Sequence, residues 1–142
     1  MIYPNASISD AYSNATAPKT PHVPVFLVQE TDALVADDII GSLRAKGQCR
    51  TIYARHPEDI APALVGEPHL TAAILEIPFA SVLAMQLDQV LIALGARIIL
   101  TAGANDEPDV RAAGWGMLVR PFTEQMIHDE LAAPVVAVDA GA

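Results

Sequence analysis

Five short apolar runs, each too brief to be a helix and each followed by a stretch with helical spacing, set the possibilities for this chain. Val25-Phe26-Leu27-Val28 is the first, with the β-branched and aromatic members of a strand buried on both faces. Asp32 then precedes a segment in which Leu34, Val35, Ile39, Ile40 and Leu43 recur at helical intervals, stopped by the C-cap signal Lys46-Gly47. Arg50 to Ala54 reads as a second strand. Pro57 to Leu64 reads as a helix opened by proline, with Glu58 and Asp59 near its positive end. Ala72 to Ile77 is the third strand, after which Ser81 is expected to cap one long helix carrying Leu83, Leu87, Val90, Leu91 and Leu94 and ending at Gly95. Ile98-Ile99-Leu100 makes the fourth strand, a short helix follows over Pro108 to Ala113, and Met117-Leu118-Val119 makes the fifth strand. Thr123 caps a last helix with Met126, Ile127 and Leu131 inward, and Pro134 stops it.

Buried strands alternating with helices require right-handed crossovers and therefore a parallel sheet with helices on both faces. The expected fold is α/β, a doubly wound five-stranded parallel sheet in the order 2-1-3-4-5. It should span residues 23–132, between an N-terminal tail (1–22) and a C-terminal tail (133–142). Functional groups on such sheets gather beyond the carboxyl ends of the strands, where the strand order reverses. The residues standing there are Gln29-Glu30-Thr31, Glu76, Thr101-Ala102-Gly103 and Arg120-Pro121-Phe122. Carboxylates, a hydroxyl and a cation thus converge by topology alone.

With those residues in those places, the chain resembles the receiver domain of bacterial two-component response regulators, a flavodoxin-like (βα)5 fold. The resemblance extends over residues 23–132. In that family the first strand ends in a pair of acids that hold magnesium. The third ends in the phosphorylated Asp, the fourth in Thr or Ser, and the fifth in Lys-Pro before an aromatic or hydrophobic residue. Position by position, Glu30 matches the second acid and Gln29 takes the place of the first. Glu76 stands at the phosphoacceptor, Thr101 retains the switch hydroxyl, and Arg120 replaces the Lys ahead of Pro121-Phe122. The run Leu100-Thr101-Ala102-Gly103 with Arg120-Pro121-Phe122 is similar to alphaproteobacterial stand-alone receivers in particular.

The departures predict a dismantled phosphorylation site. Gln29 offers a hard cation a neutral amide oxygen where a carboxylate is favoured, so magnesium binding should be weak or absent, and no other cofactor is expected. Glu76 carries one methylene more than Asp, which displaces its carboxylate by more than about 1 Å in chemistry where misplacement on that scale costs ~100-fold. Arg120 can join a carboxylate through two parallel hydrogen bonds. A Glu76–Arg120 ion pair with Thr101 nearby is therefore expected in place of the phosphorylated site. The alternative is that the three are drifted remnants held only by hydrogen bonding.

Composition narrows the partners. Eight Lys plus Arg stand against seventeen Asp plus Glu, a formal charge of -9, and the cations are scattered from Arg44, Lys46, Arg50 and Arg55 to Arg97, Arg111 and Arg120. Nucleic acid and anionic membrane are not expected as direct partners. No run approaches the roughly 20 apolar residues of a membrane-spanning helix. The first 21 residues lack a basic start and an apolar secretion core, so Asn5 and Asn14 are read as chance sequon matches and the location as cytoplasmic. Cys49 is the single cysteine and is read as a small hydrophobe opening strand two. His22, His56, His69 and His128 share no helix-face spacing and are read as solvated, with no metal site. The acidic group Asp106, Glu107 and Asp109 is read as a solvated helix start.

The functional expectation is an atypical single-domain regulator that signals by protein contact without phosphorylation, and not an enzyme. About ten residues follow the last helix, so no output domain is expected. A sensor histidine kinase, another signalling protein or a second copy of the chain would suit it as partner. Trp115, Met117 and Phe122 are the candidate contact residues, and surplus apolar surface on the third or first helix would support a homodimer. The competing readings are a receiver with residual phosphorylation on Glu76, or displaced phosphorylation on a residue such as Asp32, and a small α/β enzyme or nucleotide binder. The last lacks both glycine-rich phosphate signatures after strand one.

Overall fold

The computed structural model describes residues 23–133; the expected tail 1–22, with Asn5, Asn14 and His22, and residues 134–142 lie outside the described residues. The elements are β1 (Val25–Gln29), α1 (Ala33–Ala45), β2 (Arg50–Ala54), α2 (Ile60–Ala63), β3 (Ala72–Leu75), α3 (Phe79–Ala84), α4 (Leu87–Ala93), β4 (Arg97–Leu100), α5 (Glu107–Ala112), β5 (Gly116–Met117) and α6 (Glu124–Ala132). Single 3-10 turns at Pro57–Asp59 and Ala104–Asp106 lead into α2 and α5. The five strands are all parallel in the order β2-β1-β3-β4-β5, as expected for a flavodoxin-like sheet.

The register aligns the strand ends. Ala54 pairs with Gln29, Gln29 with Leu75, Leu75 with Leu100 and Leu100 with Met117, so one straight row of residues closes the sheet at its carboxyl edge. Residues immediately past that row share one crevice. Beneath it, the period-two alternation of the strands divides the core. Leu27, Ala73, Leu75, Ile98 and Leu100 face Ile60, Leu64, Val82, Leu91 and Val110 on one side. Phe26, Val28, Ile74 and Ile99 face Ile39, Leu43 and Ile127 on the other. Asp32 caps α1 by accepting from the Leu34 and Val35 N–H groups, and Thr123 caps α6 by accepting from Met126 N–H.

The expected long third helix is two helices. Phe79 to Ala84 starts on Pro78 rather than Ser81, and the chain breaks at Met85-Gln86, where Gln86 takes the left-handed conformation with φ 58°. The physical reason lies in the core. Val82 and Leu87 are both buried against the sheet, yet five residues apart they would point about 140° apart around an unbroken helix. Burying both outweighs the cost of one non-glycine residue at positive φ.

Trp115 and Met117 are not on the surface. Trp115 is buried with its ring 5.2 Å from that of Phe79, tilted by 60°. Met117 is buried beside it in the same core layer. Neither can belong to a contact surface. Cys49 is half-buried against the α1 side of the core. His56 and His69 are exposed, whereas His128 is half-buried with Nε2 2.7 Å from the Ser42 carbonyl.

Ile74 lies at the centre of β3 with no exposed surface, so Ile74→Ala should lower unfolding free energy by about 2–5 kcal/mol. Urea unfolding checks this; a loss below about 1 kcal/mol would contradict the packing described.

Candidate functional site

Glu30 follows β1 directly and is 1% exposed. Its Oε1 accepts from Arg120 Nη2 at 2.7 Å and its Oε2 accepts from the Asp32 N–H at 3.1 Å. Its backbone carbonyl accepts from the Tyr53 hydroxyl at 2.7 Å. The same guanidinium reaches the end of β4, where Nε donates to the Thr101 carbonyl and Nη2 to Thr101 Oγ1, both at 3.2 Å. Arg120 thus joins the ends of β1 and β4 from the loop after β5.

Glu76 is held differently. Its Oε1 accepts from the Thr31 N–H at 3.0 Å and from the Thr31 hydroxyl at 2.7 Å, while its Oε2 stands 3.8 Å from Arg120 Nη2. The expected Glu76–Arg120 ion pair is present only as a long contact, without the two parallel hydrogen bonds; the guanidinium donates instead to Glu30 and Thr101. Glu30 takes the guanidinium because a carboxylate with almost no exposed surface is costly without a counter-charge. The Glu76 side chain is 28% exposed and already satisfied by Thr31. Arg120 lies between the two carboxylates, close to one and at the outer limit of pairing with the other.

Gln29 is buried and fully committed. Its Nε2 donates to the Arg55 carbonyl at 3.0 Å and its Oε1 accepts from the Glu76 N–H at 2.9 Å. This amide ties the chain leaving β2 to the chain leaving β3 across β1. A carboxylate could accept from Glu76 but could not donate to Arg55. The residues present therefore do not fit a hard divalent cation. The amide oxygen accepts from the Glu76 N–H, both Glu30 oxygens are bonded, and the Arg120 guanidinium already pairs with Glu30. Among the described residues no cluster of three or more His, Cys, Asp or Glu is arranged to hold a metal.

Thr101 is buried, with its N–H donating to the Leu75 carbonyl at 2.8 Å, which ties it into the sheet edge. Pro121 is exposed after a cis Arg120–Pro121 peptide. Phe122 is half-buried against the α1–α6 core, with Arg120 Cζ 5.6 Å from its ring centroid. Phe122 is therefore the one of the three candidate contact residues that retains accessible surface. Asp32, the candidate displaced phosphoacceptor, is spent on capping α1. In the acidic loop Glu107 pairs with Arg111 at 3.1 Å. A cavity of about 290 Å³ lies at the opposite edge of the sheet, lined by residues such as Pro24, Leu43, Cys49 and Arg97, and contains no residue of this cluster.

Sequence reasoning missed the roles of Thr31 and Tyr53. Thr31 stood among the strand-end residues, and its neighbour across the crevice could have suggested a hydroxyl–carboxylate bond. For Tyr53 no signal short of the β1–β2 register existed. No protein-family model, curated protein or solved structure matches the chain. The functional reading therefore rests on the residues themselves.

Burial of Glu76 works against its ionisation, but the Thr31 hydroxyl and N–H and the attraction of Arg120 outweigh it. Its pKa is held below the ordinary 4.5. A depressed folded-state pKa contributes stability above the unfolded value and loses it as pH falls through the folded one. Stability should accordingly decline below about pH 4.5. Urea midpoints from neutral pH into acid should show a shallower acid decline in Thr31→Val than in the wild type, and equal slopes would contradict this assignment.

Proposed function

We propose that this chain is a degenerate, stand-alone receiver-like domain that acts in the cytoplasm of a bacterium by protein–protein contact, independently of phosphorylation, and is not an enzyme. The observation that carries the reading is the position of Arg120. Its guanidinium lies against Glu30 at 2.7 Å and Thr101 Oγ1 at 3.2 Å, within 3.8 Å of Glu76. Part of the negative charge that a bound metal would otherwise have to balance is balanced within the chain by that guanidinium. The glutamate at the phosphoacceptor position is held by Thr31 and turned from attack to scaffold.

The strand order supports the same reading, because the aligned strand ends bring together the residues that the receiver resemblance singles out. The remaining chemistry agrees with a partner that is a protein. Arg50, Arg97, Arg111 and Arg120 each pair with a carboxylate, which leaves few cations to meet a phosphate backbone. No helix among the described residues is long and apolar enough to cross a membrane. A sensor histidine kinase or another signalling protein with a basic face suits the formal charge of -9.

Intact-mass measurement after incubation with a small-molecule phosphodonor and Mg²⁺ tests the proposal. The native chain is expected to gain no phosphoryl mass, whereas a variant combining Gln29→Asp, Glu76→Asp and Arg120→Lys is expected to gain it. Phosphorylation of the native chain, on Glu76 or on Asp32, would make it a working switch and overturn the proposal.

A further inference from the structure

The stretch of chain that forms α3 and α4 is almost devoid of charge. From Ile77 to Ala96 the sequence holds one ionisable side chain, the half-buried Asp88, where the chain's 18% charged content would place about four. Four of the nine large apolar side chains exposed among the described residues lie in that stretch. Leu83 and Met85 are each 44% exposed, Val90 40% and Ile92 56%. The exposed polar residues among them, Gln86 and Gln89, are neutral amides.

We propose that this surface is the interface of a symmetric homodimer. In a two-fold contact one patch meets itself, so it must be self-complementary. With a formal charge of -9, most faces of this molecule would set acid against acid if they met their own copy. The α3–α4 surface avoids that repulsion and matches the depletion of charge at the centre of interfaces. The most exposed large side chain on α1, Leu34, fails the same criterion. It stands among exposed Asp32, Asp37 and Asp38, which a self-contact would stack against their own copies. A basic partner would be drawn to those acidic faces and not to the neutral one. The inference is independent of the function proposed for the strand ends.

Sedimentation velocity of the full chain tests it, with thermal unfolding as the check on folding. The wild type should sediment as a dimer at about 0.1 mM with dissociation in the micromolar range, and its unfolding midpoint should rise with protein concentration. Ile92→Lys, and separately Leu83→Lys, should weaken dimerisation at least ~10-fold while the monomer stays folded, because both side chains already face solvent. Leu34→Lys should leave the dimer intact. A wild type that is monomeric at that concentration would overturn the proposal, as would dimers unaffected by both lysines on α3–α4, or dimers broken equally by Leu34→Lys. Binding of a monomeric wild type to neutral phosphatidylcholine vesicles would assign the surface to lipid instead, and would likewise overturn it.

Discussion

A carboxylate with 1% of its surface exposed needs a counter-charge, and at the edge of this sheet that need organises everything else. Glu30 cannot move away, because it follows a strand whose other residues are locked into two ladders. Arg120 supplies the charge from the far side of the crevice and, in doing so, binds the Thr101 carbonyl and hydroxyl. The Tyr53 hydroxyl and the Gln29 amide complete the same edge from β2 and β1. The result is a crevice whose buried polar groups are bonded to one another. In the receiver family proposed for this chain, the corresponding crevice is left incomplete for a metal ion and a phosphoryl group. The proposal of a phosphorylation-independent regulator follows from that contrast in satisfaction more than from the loss of any single residue.

The central strands β1, β3 and β4 were legible because a parallel strand covered on both faces reads as an uninterrupted apolar run, and each expected strand matches an observed one to within a few residues. The break between α3 and α4 was not legible. Helical spacing over Leu83, Leu87, Leu91 and Leu94 is genuine, and only the requirement that Val82 and Leu87 both face the sheet forces the left-handed turn at Gln86. Trp115 was equally ambiguous. Flanked by Gly114 and Gly116, it carries no local sign of whether it faces inward, and the position of Phe79 decides it.

At the site, strand-end placement brought the right residues together, but their pairing depended on burial. The sequence pointed to Glu76 as the partner of the guanidinium, because the burial of Glu30 is not visible there. The difference between a buried carboxylate and a partly exposed one held by Thr31 selects the first. Gln29 is a similar case. Its identity reads as a lost metal ligand, whereas its N–H₂ group has a structural task at the Arg55 carbonyl that only the register reveals.

Arg120 lies between Glu30 and Glu76, where a divalent cation would otherwise have to sit. A Mg²⁺ titration followed through the backbone amide resonances of Glu30, Glu76 and Thr101, in the wild type and in Arg120→Ala, tests this most directly. The account predicts no saturable shifts in the wild type at millimolar Mg²⁺ and saturable shifts once the guanidinium is removed. Saturable binding by the wild type, with Arg120 in place, would contradict it.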